Sequence, residues 1–305
     1  MTQKIINVDS TILNSIQSCL QKTEYNFVRH IQPIEKGEAL EKGDLMHFPL
    51  EIYYGLTGQC AREDSSTWIE IRKMLGKGPQ EFYGKDRREI ISFASSAARM
   101  HAISLNLAPN EVDEILYQFG EYCEYYKNED WKAVAVEEVG SKILYEDEEH
   151  KFIYTFKIDV IAEKGNFICP WDHKTSSRRS NTRSLSNQFT GYCFGLNLND
   201  IIINKIGFQK TLKPNERFQR VQLSYTPGRI QEWVDNTVWW MKLWQNCLET
   251  RTFPRDFTSC DKYSGCQYAN ICEKDEYSRE DAIERDFKIG EAWDVGESLE
   301  VKNGL

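Results

Sequence analysis

Apolar residues recur four apart at Ile12, Ile16 and Leu20, behind Asp9 and Ser10 as candidate caps, and this predicts a helix over 9–31. The same period returns in Lys42–Tyr54, where His47 and Glu51 lie four apart on one face. Residues 56–85 are glycine-rich and aperiodic, so an irregular stretch is expected there. Residues 86–127 read as two helices broken at Pro109, with Leu105, Val112, Ile115, Leu116 and Phe119 supplying apolar stripes. These helices are expected as an insertion beside a sheet, with His101 and Cys123 as packing residues. The period then shortens to two, predicting strands over 131–139, 152–162 and 167–174, the last pair joined at Lys164-Gly165-Asn166. A helix over 184–196 puts Gln188 and Tyr192 on one face, and strands follow at 201–209 and 217–225. A long helix from about Pro227 to Glu249 carries Trp233, Thr237, Trp240, Met241 and Trp244 on a wide apolar face, expected as core. From 273 onward the chain is acidic and poor in large apolar residues, which predicts a helix and then a loose end. Strands interleaved with helices make the fold class α/β.

Composition narrows the function classes. The chain has 305 residues, enough for a full core, and 40% hydrophobic residues argue against wholesale disorder. No apolar run approaches bilayer length and Met-Thr-Gln-Lys-Ile-Ile lacks a secretory pattern, so a cytoplasmic protein with no membrane partner is expected. A net charge of −9 excludes a generally basic nucleic-acid coat but leaves room for a local basic groove. Nine cysteines, an odd number, disfavour a disulfide framework and favour thiols or metal ligation.

The stretch Lys157–Lys174 carries the first candidate chemistry. With an even-numbered connecting loop, Asp159 and Asp172 share one side of the sheet and stand opposite or diagonal, and Lys174 lies on the same face. Such a cluster is either a solvated ion-paired surface or a site where a cation or a reaction uses the charges. Two close carboxylates suit Mg²⁺ or Mn²⁺. His47 could add a nitrogen ligand and the His173 backbone carbonyl an oxygen. Lys174 is then placed to position or deprotonate a water attacking a phosphodiester, assistance typically worth ~10²–10⁴-fold in rate. Arg178, Arg179 and Arg183, just after the hairpin, are candidate phosphate-backbone contacts on DNA.

The second candidate site is Cys260, Cys266 and Cys272, equally spaced in a short segment. Three thiols in that pattern point to metal ligation, zinc or iron–sulfur, and a tetrahedral set needs one more ligand.

Asp159, then Asp172-His173-Lys174, then Gln188-Phe-Thr-Gly-Tyr192, resembles the PD-(D/E)XK nuclease superfamily, and more narrowly its RecB/AddB-type branch with a trailing Gln-x-x-x-Tyr motif. Gly43-Asp-Leu-Met-His47-Phe-Pro-Leu50-Glu51 is similar to the upstream histidine motif of that branch. Members with an iron–sulfur cluster, including CRISPR-associated and phage exonucleases, place one cysteine early and three late. Cys19 with Cys260, Cys266 and Cys272 is similar in layout, with Cys60 as competitor for the fourth ligand. The resemblance implies a restriction-endonuclease-like mixed sheet flanked by helices, forming one nuclease domain over 1–275. A helical insertion would occupy about 60–130, a cluster-binding segment 255–275, and an acidic tail 276–305. It implies a metal-dependent deoxyribonuclease acting as an exonuclease in recombination, repair or phage-type DNA processing, in a bacterial or phage-infected cell. The implied cofactors are Mg²⁺ or Mn²⁺ and a [4Fe-4S] cluster, and the implied partners are DNA, single-stranded or at double-stranded ends, and a helicase or recombination protein. Gln188 and Tyr192 would support Lys174 and the DNA strand. A different class, a catalytically idle nuclease fold that binds DNA or protein, is the alternative.

Overall fold

In the computed structural model, which describes residues 3–34, 38–105, 107–176, 184–209, 211–261 and 265–293, a six-stranded mixed sheet is covered on both faces by helices. In chain order, β1 (Lys4–Val8) leads to α1 (Ser10–Ser18), α2 (Leu20–Thr23) and a π-helical turn over Glu24–Val28. The helix expected over 9–31 is therefore interrupted, because Cys19 is extended (φ −167°) between α1 and α2. The short β2 (Ile31–Pro33) precedes α3 (Glu38–Gly58), which runs through Pro49 even though proline removes a ladder hydrogen bond. The stretch expected to be irregular contains the end of α3 and also α4 (Ser66–Leu75), whose N-cap Ser65 accepts from Trp68 N. Then come α5 (Arg87–Ser104), α6 (Pro109–Tyr125), β3 (Lys132–Glu146), β4 (His150–Lys164) and β5 (Phe167–Ser176). The chain continues with α7 (Asn187–Leu196), β6 (Asp200–Gly207), α8 (Pro214–Arg217), β7 (Phe218–Ser224) and α9 (Pro227–Thr250). It closes on α10 (Ala269–Cys272), α11 (Arg279–Asp286) and β8 (Phe287–Ile289). A strand thus follows the helix where a loose end was expected, and β8 pairs antiparallel with β2, bringing the two ends of the chain together.

The sheet runs β1-β4-β5-β6-β7, with β3 along the other edge of β4. Pairings β1/β4 and β5/β6 are parallel, and β3/β4, β4/β5 and β6/β7 are antiparallel. One apolar cluster, from α3 to α6 with Val160, Ala162, Cys169 and Trp171, fills one face. A second, from α1, α7 and α9 with Phe152, Tyr154, Phe156 and Ile158, fills the other. On β4 the face that each even position serves changes between Ile158 and Val160, so the strand twists across the sheet at Asp159. Here β4 also changes partner on its inner edge. β1 pairs with it only as far as Tyr154 and β5 only from Val160 onward, leaving a fork between them.

Candidate functional site

Backbone groups at such a fork lose their ladder partners and must find others. Side chains supply them. The amide of His173, on the splayed part of β5, donates to Asp159 Oδ2 at 2.6 Å. The carbonyl of Lys157, on the open stretch of β4, accepts from Tyr192 OH at 2.7 Å. The candidate residues are therefore built into the fork. The β4/β5 loop is the two residues Gly165-Asn166, with Lys164 opposite Phe167 and Val160 opposite Trp171, and Gly165 takes φ +60°. Continued one step, that register sets Asp159 opposite Asp172.

Asp172 is 1% exposed and lies beneath α7. Lys174 Nζ stands 2.7 Å from its Oδ2, and Tyr192 OH is 3.5 Å from its Oδ1. Gln188 Nε2 donates to the Tyr192 hydroxyl at 2.8 Å, one helical turn away. His47, on α3, places Nδ1 3.8 Å from Asp159 Oδ2. The structure thus brings together His47, Asp159, Asp172, Lys174, Gln188 and Tyr192, with His173 between Asp172 and Lys174 on β5. Arg178, Arg179 and Arg183 lie outside the described residues.

The two carboxylates are electrostatically unequal. Burial pushes Asp172 up to about 6, with Asp159 adding and Lys174 opposing. Asp159 is also desolvated, but His47 and Lys174, with the hydrogen bond from the His173 amide, hold it below the ordinary range. Burial drives His173 down to about 3, so its ring is neutral, and its Nδ1 lies 2.8 Å from Asn204 Nδ2.

Two further residues, Glu137 and Lys157, escaped sequence reasoning, and Glu51 was read there only as part of the His47 motif. Glu51 accepts from the Ser65 and Thr67 hydroxyls, both at 2.5 Å, and burial, then the charge of Glu137, raises it to about 8. Glu137, at φ +51° inside β3, is ion-paired with Lys157, and burial and then the charge of Asp159 raise its carboxyl above the usual range. The only signal for Lys157 was its place two residues before Asp159 on the same strand, and Glu137 had none.

A cleft of ≈850 Å³ opens beside Lys174, lined by α1, α7 and α9 and containing Lys205, Arg229, Trp233, Trp240, Tyr225 and, as the one acid among the described residues, Glu232. Trp233 and Trp240, expected as core, line this cleft as partly buried rings, whereas Met241 and Trp244 are buried. Asn187 binds Asn14 and Gln17 (both 2.7 Å) and accepts from Trp233 Nε1 (2.9 Å), giving the cleft an amide-rich floor.

The oxygen-rich pair Asp159 and Asp172 suits a hard divalent cation. Asp172 Oδ2 is buried with no donor aligned on it among the described residues, although Lys174 is near. Among the described residues no three His, Cys, Asp or Glu side chains converge into a complete metal site.

Cys19, Cys260, Cys266 and Cys272 line one cavity of ≈190 Å³ with Ser18, Arg255 and Tyr268. The helix break at Cys19 places its thiol there, where Asp256 N donates to Sγ at 3.4 Å. Cys266 N donates to Cys260 O at 2.7 Å, closing the intervening loop. Burial, then the neighbouring thiols, raise Cys260; Cys272 is raised likewise, against the pull of Arg255. These four cysteines share the lining of one cavity, although among the described residues no three of them meet as a group that could hold a metal ion. Cys60 packs instead beside α3, its Sγ 3.9 Å from Tyr54 O. The wall around the cavity is firm: Tyr268 OH donates to Ile31 O at 2.7 Å, and Tyr25, Ile31, Tyr268, Ile271, Ile283 and Phe287 form a small core beside it.

Among the described residues no helix is long and apolar enough to cross a membrane. No protein-family model matches this chain, and no curated protein matches it. Among solved structures it is similar to a chain described as "Crystal structure of SSO0001", at 13% identity over 76% of this chain and 84% of that one, with a TM-score of 0.32. Two chains at that score need not share a fold.

Proposed function

We propose that the protein is a divalent-metal-dependent deoxyribonuclease with a restriction-endonuclease-like core, acting as an exonuclease in DNA processing. The observation that carries this reading is the fork on β4, where Asp159, Asp172 and Lys174 meet beneath Gln188 and Tyr192 and from which Lys174 also reaches the wall of a basic, aromatic cleft. An acidic chain that concentrates Lys174, Lys205 and Arg229 around one cleft is suited to a phosphate backbone there. The tryptophans and Tyr225 offer faces on which bases stack.

Asp159 and Asp172 would hold the Mg²⁺ or Mn²⁺, with His47 and the His173 carbonyl as further candidates; when bound, the cation supplies Lewis-acid polarisation of the phosphodiester and neutralises developing charge. Tyr192, a phenol kept protonated chiefly by burial and next by Asp172, steadies that carboxylate and is itself held by Gln188. Lys174, beside Asp172, orients the attacking water as the new phosphorus–oxygen bond forms; the proton that water releases passes to solvent, and the leaving oxygen departs. Cys19, Cys260, Cys266 and Cys272 would hold a [4Fe-4S] cluster whose role is to tie the two chain ends together beside the sheet. DNA is the proposed substrate and the cytoplasm the proposed compartment, with a helicase or recombination protein as the proposed partner.

The test is Mn²⁺-dependent degradation of end-labelled DNA by the cluster-loaded protein and by Asp159→Ala. Release of nucleotides by wild type and none by the variant is the expected result. If the loaded wild type releases no nucleotides with any divalent metal, the fold is an idle one that binds DNA or protein.

A further inference from the structure

Behind the fork, on the α3 side of the sheet, a row of buried polar residues crosses three neighbouring strands. His173 on β5 is register partner to Asn204 on β6, and Asn204 to Arg220 on β7. Asn204 Nδ2 donates to the Tyr122 hydroxyl at 2.7 Å and lies 2.8 Å from His173 Nδ1. Tyr122 and Tyr54 hydroxyls are 2.5 Å apart, and Arg220 Nη2 donates to Tyr54 at 3.1 Å and to Tyr122 at 3.4 Å. The guanidinium is ion-paired with Glu129 and sandwiched between the rings of Tyr126 (3.7 Å) and Trp171 (4.1 Å). The Tyr54 ring stacks on the His173 imidazole at 5.6 Å.

Such a row is a poor choice for stability alone, because buried ionic and polar groups need full partnering and apolar replacements of similar volume often do as well. Its distinctive property is where it ends. His173 is the residue whose backbone amide binds Asp159, and it separates Asp172 from Lys174 on β5. Holding the imidazole from behind fixes the rotation of the 172–174 backbone, and so where the amide and the two flanking side chains point.

We propose that the row from Glu129 and Arg220 through Tyr54, Tyr122 and Asn204 to His173 positions the cation-binding carboxylates from the far side of the sheet, with Asn204 and Tyr122 as its positioning residues. This rests on the nuclease reading for the identity of the cation.

The experiment measures Mn²⁺ binding by electron paramagnetic resonance without substrate, and the half-saturating Mn²⁺ for cleavage, in wild type, Asn204→Leu and Tyr122→Phe. Outer-shell partners of a metal site typically contribute ~10–100-fold in affinity or activity, so Asn204→Leu should weaken Mn²⁺ binding by about that factor. Tyr122→Phe should weaken it less, and the KM for an oligonucleotide at saturating Mn²⁺ should stay unchanged in both, an outcome that general loosening of the fold would not give. Tyr122→Phe keeps the ring and decides the matter if Asn204→Leu does not fold. Wild-type affinity in a folded variant overturns the positioning role alone. A wild type that binds no Mn²⁺ overturns it together with the function beneath it. A wild type that binds Mn²⁺, loses it in Asn204→Leu and cleaves no DNA supports the row and rejects the nuclease.

Discussion

Helix α7 can carry Gln188 and Tyr192 to the fork only because two of its residues have no side chain. Gly191 and Gly195, one turn apart, face the buried rings of Tyr154 and Phe156 on β4. A Cβ at Gly191 would sit 2.6 Å from Tyr154 Cε1, with Cζ and the hydroxyl nearer still. Tyr154 is 0% exposed and packs edge-on against Trp233 at 5.2 Å, so it has no room to withdraw. Gly191→Ala should gain about 0.8–1 kcal/mol of helix propensity. Overpacking typically costs ~1–3 kcal/mol, and an overlap this deep belongs at the upper end. The net expectation is destabilisation of about 2 kcal/mol, which for a urea slope near ~3 kcal/mol/M lowers the midpoint by roughly 0.7 M. Gly120, inside α6, is the control, because a Cβ there meets nothing within 4 Å. Gly120→Ala should stabilise by the propensity gain alone, about 1 kcal/mol. Urea denaturation of the three proteins side by side tests the reasoning. If Gly191→Ala matches or exceeds wild type in midpoint, as Gly120→Ala should, then α7 does not rest on β4 through its glycines.

Three other expectations follow from the site. Glu51 is raised to about 8 by burial and then Glu137, so it contributes stability that is complete below its unfolded value near 4.5 and lost as pH rises through about 8. Glu51→Gln should flatten that fall, by at most ~4 kcal/mol across the window at ~1.4 kcal/mol per pH unit, while His101, also raised, declines equally in both proteins; parallel stability curves from pH 5 to 9 would refute the assignment. Lys174→Ala should cut turnover by ~10²–10⁴ with little change in DNA binding measured by anisotropy, and an active variant removes Lys174 from the chemistry. Cys19→Ser should lose iron and labile sulfide on anaerobic purification whereas Cys60→Ser should keep both, and the reverse pattern would exchange the fourth ligand.

Much of the hairpin was legible in the sequence. Period-two alternation marks its strands and Lys164-Gly165-Asn166 its turn, but whether Asp159 and Asp172 share a side hung on the parity of the loop, which the structure resolves as the two residues Gly165-Asn166. The helix carrying His47 and the one carrying Gln188 and Tyr192 were equally local, because a 3.6-residue period needs no distant partner. The end of α3 and the whole of α4 were hidden by glycines and polar residues that read as loop. The break at Cys19 was hidden because an apolar period continues across a residue that tertiary structure pulls out of the helix.

What the sequence determined by itself was therefore which elements form and which side chains share a strand or a helix face, since those depend on neighbours a few residues apart. Only the tertiary structure decided that β1 and β5 leave a gap on β4, that Asp159 and Tyr192 fill the hydrogen bonds of that gap, and that Asn204 and Arg220 stand behind His173. Those facts rest on pairings between segments far apart in the chain, and no local pattern specifies the desolvation that sets Asp172 and Asp159 to different proton affinities.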